Sequence, residues 1–171
     1  MDDGPVQRAG AVFGSLLFLV IAPGLVAVYV PWALTRWHVQ PPLLGLPLLR
    51  GLGVALVVLG APGLLDSFAR FALLGRGTPA PVAPPDRLVV RGLYRFVRNP
   101  MYVAVVAIVL GQALLFGSTR LLAYAGVLWL AFHLFVLGYE EPALRARFAG
   151  DYARYCARVG RWIPRLRPYG D

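Results

Sequence analysis

The chain has 171 residues, 58% of them hydrophobic, and a formal net charge of +9 whose basic residues are all arginine. A mean hydropathy of +0.65 argues against a soluble domain and for helices packed against each other in lipid. Lysine is excluded from any mechanism, the single Cys156 excludes an internal disulfide or a four-cysteine metal site, and the isolated His38 and His133 provide no metal cluster.

The N-terminus, Met1-Asp2-Asp3, lacks the basic segment of a signal peptide, and the uncharged run from Ala9 to Thr35 exceeds a signal's apolar core. It predicts a first membrane span over about Val12 to Leu34, interrupted by Pro23-Gly24 and Pro31. A second span runs from about Leu46 to Leu74, with Pro62-Gly63 inside it and Asp66 and Arg70 at helical pair spacing. The Pro-Gly pairs read as helix kinks relieved by neighbouring helices. Gly51-Leu52-Gly53 reads as helix packing, because no strand precedes it to make a nucleotide loop.

Gly75 to Pro85 is proline-stiffened and extended, and Leu88 to Tyr94 is a short apolar return to the surface. Third and fourth spans follow in the charge-free runs Asn99 to Thr119 and Leu121 to Tyr139. Each suits the roughly 20 residues that cross a hydrocarbon core. Gly117-Ser118-Thr119-Arg120 turns the chain back between them. After Pro142, residues Leu144, Phe148, Tyr152 and Tyr155 share one helical face, with Arg145, Arg147, Arg154 and Arg158 on others. Such a helix is expected at the membrane interface. Met101 reads as core, and His133 as a hydrogen-bond partner for a neighbouring helix.

The expected fold is all-α: one domain over residues 1–171, a polytopic bundle of about four transmembrane helices with a C-terminal interfacial amphipathic helix. The arginines flank apolar spans, which suits positive-inside anchoring better than nucleic acid. Both the 75–98 connection and the tail beyond Tyr139 are arginine-rich. Four spans put them on one side, and that side is expected to be cytoplasmic. Trp32 and Trp37 mark the opposite interface.

Two polar strings therefore return to one membrane face. Asn99-Pro100 suits a helix start, where Asn caps, Pro fits the first position, and free N–H groups favour an anion beside Arg98. Glu140-Glu141 ends the fourth span against an unfavourable dipole and needs a cation, either arginines of the tail or a ligand ammonium. Pro142 is expected to push Glu141 out of helical conformation. Together the strings suit a zwitterionic amino-acid moiety such as that of S-adenosylmethionine, with Tyr94, Phe96, Tyr102 and Tyr139 available as aromatic walls.

Arg98-Asn-Pro-Met-Tyr102, followed one hairpin later by Tyr139-Glu-Glu-Pro142, resembles the integral-membrane methyltransferases. These are the isoprenylcysteine carboxyl methyltransferase and phospholipid N-methyltransferase families. The resemblance runs over roughly residues 75–168, through Leu88-Val-Val-Arg-Gly-Leu-Tyr94, Phe148-Ala-Gly-Asp-Tyr-Ala-Arg-Tyr155 and Val159-Gly-Arg-Trp-Ile-Pro164. It implies S-adenosylmethionine as methyl donor and a lipid-like acceptor, carboxylate or amine, without metal or nucleic acid. Cofactor contacts are implied at Tyr94, Arg98, Asn99, Pro100, Tyr102, Glu140 and Glu141. The resemblance implies a catalytic or acceptor-facing arginine at Arg158, with Arg161 as a second candidate, and acceptor contacts at Tyr152, Tyr155 and Arg161; an amine acceptor must also lose a proton, in which Glu140 or Glu141 is expected to assist. Asn99 stands where the carboxyl enzymes carry histidine and is closer to the phospholipid enzymes, whereas the Tyr152/Tyr155/Pro164 tail is closer to the carboxyl enzymes. The stretch Tyr155 to Pro164 also resembles the ends of sterol reductases, which implies a nicotinamide-dependent reductase as one alternative. A non-catalytic membrane scaffold or transporter subunit is another.

Overall fold

The computed structural model describes residues 20–74 and 88–170. The predicted beginning of the first span and the proline-rich connection Gly75–Pro85 lie outside the described residues. Within them all regular structure is helical, apart from one isolated parallel bridge between Val97 and Gly160. Four helices carry the fold: α1, Val20–Thr35; α2, Leu48–Leu74; α3, Pro100–Phe116; and α4, Thr119–Arg158. Leu48–Arg70 and Thr119–Arg158 hold windows long and apolar enough to cross a membrane, while Val20–Thr35 and Pro100–Phe116 are apolar but shorter.

Two prolines shape the backbone in the same way. A proline has no N–H to give the carbonyl four residues back, and its ring crowds that carbonyl. Ahead of Pro31 and Pro142 the chain widens into π turns, at Leu25–Tyr29 and Val136–Glu140. There Val30 N–H bonds Leu25 O and Glu141 N–H bonds Val136 O, each reaching five residues back. The expected break at Glu141 is therefore absent. Glu141 stays helical at φ −63°, ψ −43°, because the wider turn removes the clash.

Widening α1 frees carbonyls that an apolar surrounding cannot satisfy. Gln112 on α3 donates to Ala27 O at 2.7 Å, and Tyr124 on α4 donates to Val26 O at 3.0 Å. These two side chains bind α1 to the other helices. Below them lies the main core, where Ala27, Leu64, Phe68, Ala104, Val105, Val109, Ala125 and Leu128 meet. Large apolar side chains such as Leu59, 74% exposed, and Val127, 65% exposed, face outward, as suits a bundle solvated by lipid.

Helices α2 and α3 approach through small residues spaced seven apart. A Cβ at Gly53 would sit 2.6 Å from Gly111 O, and one at Gly111 would sit 2.7 Å from Gly53 O. At Gly60 a Cβ would meet Ile108 Cγ1 at 2.8 Å and Ala104 O at 3.2 Å. Without an apolar-versus-water driving force, this close backbone approach supplies the association energy. The hairpin then closes as expected. Gly117 ends α3 at φ +69° with Pro41 O against it, and the Ser118 hydroxyl caps α4 by accepting Leu121 N–H at 3.3 Å.

Helix α4 bends at Ala149, where φ is +38° and ψ −114°. Beyond the bend, Tyr152, Tyr155 and Val159 pack with Leu88, Val90, Leu144, Phe148 and Tyr169. The apolar face of this helix is thus covered by the chain's own 88–90 segment and tail. Replacing Gly53 by Val should destabilise the fold by about 1–3 kcal/mol through overpacking. Gly51→Val, where nothing lies within 4 Å, should cost much less. Thermal unfolding of both variants in detergent checks this.

Candidate functional site

Past the C-terminal end of α4 the chain folds back and ties itself to the residues ahead of α3. Arg98 N–H donates to Gly160 O, Arg165 N–H to Phe96 O and Tyr169 N–H to Arg95 O, each at 2.9 Å. Arg95 Nε returns a bond to Tyr169 O at 2.7 Å. This lacing carries Arg161 and Trp162 to the Glu140-Glu141 end of the fourth apolar run.

Glu141 is the electrostatic centre. Its side chain is 6% exposed and receives Arg98 Nη1 at 3.1 Å and Arg161 Nε at 2.5 Å, both on Oε1. Arg161 Nη2 adds Oε2 at 3.0 Å, a two-armed grip, and Arg145 approaches Oε2 at 3.6 Å. The carboxylate in turn holds the Arg161 guanidinium above its ordinary pKa. Arg98 also donates to Cys156 Sγ at 2.7 Å. Arginine pairing, one of the two cation sources weighed for the Glu pair, is realised at Glu141.

Glu140 is treated differently. It is half-buried, accepts the Tyr102 hydroxyl at 2.6 Å, and has no arginine against it among the described residues. The Tyr102 ring lies on Phe132, centroids 4.6 Å apart. Arg98 Nε is buried with no hydrogen-bond partner among the described residues. Glu140 thus lacks an arginine, and the buried Arg98 Nε lacks an acceptor, among the described residues.

Asn99 occupies the N-cap position of α3, but its side chain does not cap the helix. Its amide donates instead to Arg161 O at 3.1 Å, because the returning tail brings that carbonyl within reach. Pro100, buried, begins α3. Tyr94 is buried, burial pushes its phenol well above the usual value, and its carbonyl accepts the Tyr155 hydroxyl at 2.6 Å. Tyr152 lies beside Tyr155, ring centroids 6.3 Å apart. Arg158 stands apart: it is exposed and makes no ion pair among the described residues. Arg98, Asn99, Glu141 and Arg161 are thus gathered into one network, Tyr102 and Glu140 form a pair of their own, and Arg158 is left outside.

Two partners were not read from the sequence. Trp162 donates from Nε1 to His133 Nδ1 at 2.9 Å, and Trp129 stacks on His133 at 5.1 Å. His133 therefore meets the tail, not a neighbouring helix, and its Nδ1 must be the unprotonated nitrogen. Cys156 is the other. Its place one residue after Tyr155, on the half-buried edge of the aromatic face, is the only signal the sequence carries for its contact with Arg98.

The apolar helices are those of a membrane protein, and the two polar strings lie together at one end of the α3–α4 hairpin. The sequence profile described as phospholipid methyltransferase matches residues 49–151, and the chain belongs to that family. The match takes in α2, which the sequence suggested only as a generic helix, and both polar strings. It stops before Tyr152, Tyr155, Arg158 and Arg161. No curated protein and no solved structure matches the chain significantly.

The two glutamates should separate by stability. Glu141→Gln leaves Arg98 and Arg161 without their counter-charge and should cost on the order of 3 kcal/mol, the range for breaking a buried pair. Glu140→Gln breaks no ion pair among the described residues and should cost under about 1 kcal/mol. Equal losses in denaturation of detergent-solubilised protein would contradict the division.

Proposed function

We propose that this chain crosses the membrane four times and transfers a methyl group from S-adenosylmethionine to a lipid-like acceptor at the cytoplasmic face. The observation that carries the reading is that Glu140, next to the arginine-bound Glu141, has no arginine against it among the described residues, while the Arg98 guanidinium stands at the start of α3. A zwitterionic amino-acid group needs one of each. Family membership supports methyl transfer over the reductase alternative, whose resemblance rested on a tail outside the matched segment.

In this reading Glu140 receives the cofactor's ammonium and Arg98 its carboxylate, with Asn99, Pro100 and Tyr102 forming the wall between. Bound there, S-adenosylmethionine supplies an already activated methyl group on a sulfonium. The protein's task is then mainly alignment of acceptor and donor. Tyr102 fixes the Glu140 carboxylate, and Glu141 fixes Arg98, so both recognition groups are held before binding. Tyr94 closes the aromatic side, while Tyr152, Tyr155 and Arg161 shape the side from which the acceptor enters. Glu141 acts by positioning, since its oxygens are already engaged by arginine.

The acceptor's chemistry decides which further residue acts. A carboxylate needs no base and suits the planar fork of Arg158, the exposed guanidinium at the end of α4. An amine must first lose a proton, and Glu140, whose second oxygen is engaged by neither Tyr102 nor an arginine among the described residues, has to serve both that proton and the cofactor's ammonium. Membership of a family named for phospholipid methylation favours the amine.

Calorimetry with S-adenosylhomocysteine tests the site. Glu140→Gln should weaken binding by about 1.5–3 kcal/mol, the worth of a charge-assisted hydrogen bond. Asn99→Ala should weaken it through displacement of the Arg161 carbonyl. Binding of NADPH instead, or unchanged affinity in both variants, would overturn the reading. Labelled methyl donor incubated with lipid extract then distinguishes the acceptors, since a carboxyl ester is lost in base and an N-methyl group is not. If the acceptor is a carboxylate, Arg158→Lys should depress turnover with cofactor affinity intact, while Arg154→Lys stays near wild type.

Sidedness is tested separately, by cysteine labelling at Ala80 and Tyr169 in a chain lacking Cys156. Both positions should react from the cytoplasmic side. Reaction from opposite sides would overturn the shared pocket.

A further inference from the structure

A cavity of about 630 Å³ opens near the end of α2, and its walls include Arg70, Arg91, Gly92, Arg95 and Tyr169. Three guanidinium groups and no carboxylate line it among the described residues. Each arginine is held differently. Asp66 takes Arg70 through Nε alone, at 2.9 Å and 2.8 Å, leaving the two terminal amino groups unengaged by the described residues. Arg95 is pinned by its bond to Tyr169 O, which also fixes the cavity wall. Arg91 is exposed and has no partner among the described residues.

The turn beneath them is built for this arrangement. Gly92 has φ +57°, and a Cβ there would sit 1.9 Å from Arg70 Nε. Only glycine lets the Arg70 guanidinium lie across the backbone at this point. The cavity also stands at the end of the membrane-length segment Leu48–Arg70, the depth at which lipid headgroups lie.

We infer that this cavity binds a phosphate group, through Arg70 and Arg91 with Arg95 as its inner wall. Guanidinium forks match phosphate oxygens in pairs, and the volume leaves room for what the phosphate is attached to. The cavity shares no lining residue with the Glu140–Tyr102 pair or the Arg98–Glu141–Arg161 network, and the inference does not depend on methyl transfer. The phosphate has two possible sources, a lipid headgroup or a soluble phosphate, recognised by the same chemistry.

The test uses the full chain in phosphate-free, uncharged detergent. One arm titrates inorganic phosphate and the other titrates short-chain phosphatidic acid. Saturable binding is expected in at least one arm. Arg91→Gln, at an exposed position that does not threaten folding, should lower that affinity about tenfold or more. Arg167→Gln removes the same charge from an exposed position outside the cavity and should change affinity less than twofold. Arg91-dependent binding in both arms assigns the site to the phosphate group itself. Arg91-dependent binding of the lipid alone assigns it to headgroups. Absence of saturable binding in both arms, or equal losses in the two variants, would overturn the site in favour of diffuse attraction to a basic surface.

Discussion

A carboxylate withdrawn from water at the end of an apolar helix must be compensated, because leaving it unpaired costs several kcal/mol. Glu141 is in that position, and its partners come from two distant parts of the chain: Arg98 from the approach to α3 and Arg161 from the tail. Compensation therefore dictates topology. The tail has to return, and once it has done so the backbone bonds from Arg98 to Gly160 and from Arg165 to Phe96 become available. Asn99, Cys156 and Trp162 acquire their partners as a result of that return. Glu140, one residue away, meets no arginine among the described residues and accepts the Tyr102 hydroxyl instead. Two adjacent glutamates thus have opposite surroundings.

The bundle that supports this arrangement is held by means suited to lipid. Apolar contacts alone discriminate poorly between protein and hydrocarbon tails, so close backbone approach at Gly53, Gly60 and Gly111 and polar bonds from Gln112 and Tyr124 provide the specificity. The second of these is forced by Pro31. The amide it lacks would have served Ala27 O, and a side chain from α3 serves it in its place. A defect in one helix thus becomes an attachment point for another.

Features governed by neighbours in the sequence were legible there. Charge-free runs marked the helices, Gly117-Ser118 marked the reversal, and Asp66 with Arg70 formed the expected pair at 2.8 Å. The two polar strings were legible as neighbours in space because a short hairpin joins them and their charges complement one another, as the Arg98–Glu141 pair shows. Features governed by residues far apart were not. Asn99 has the composition of a cap, yet its amide is claimed by Arg161 O, sixty-two positions away. A proline after Glu141 is compatible with either a break or a widened turn, and only the packing of α4 against the rest of the chain selects the turn. The aromatic face of residues 144–155 was read correctly as a face. What covers it, the 88–90 segment and Tyr169, depends on a chain return that no local pattern announces.

The widened turn at Val136–Glu140 has one more consequence. A helix advances about 100° per residue, and a π turn accommodates one residue more than an α-helical ladder would. Everything after it is therefore shifted in phase relative to the span before it. With an ordinary ladder, the side chain now aimed at Arg98 would point roughly a quarter-turn away, and its neighbour would be nearer that direction. Which glutamate is buried among arginines and which meets the Tyr102 hydroxyl is thus set by phase, and phase is set by a proline that carries no chemistry of its own.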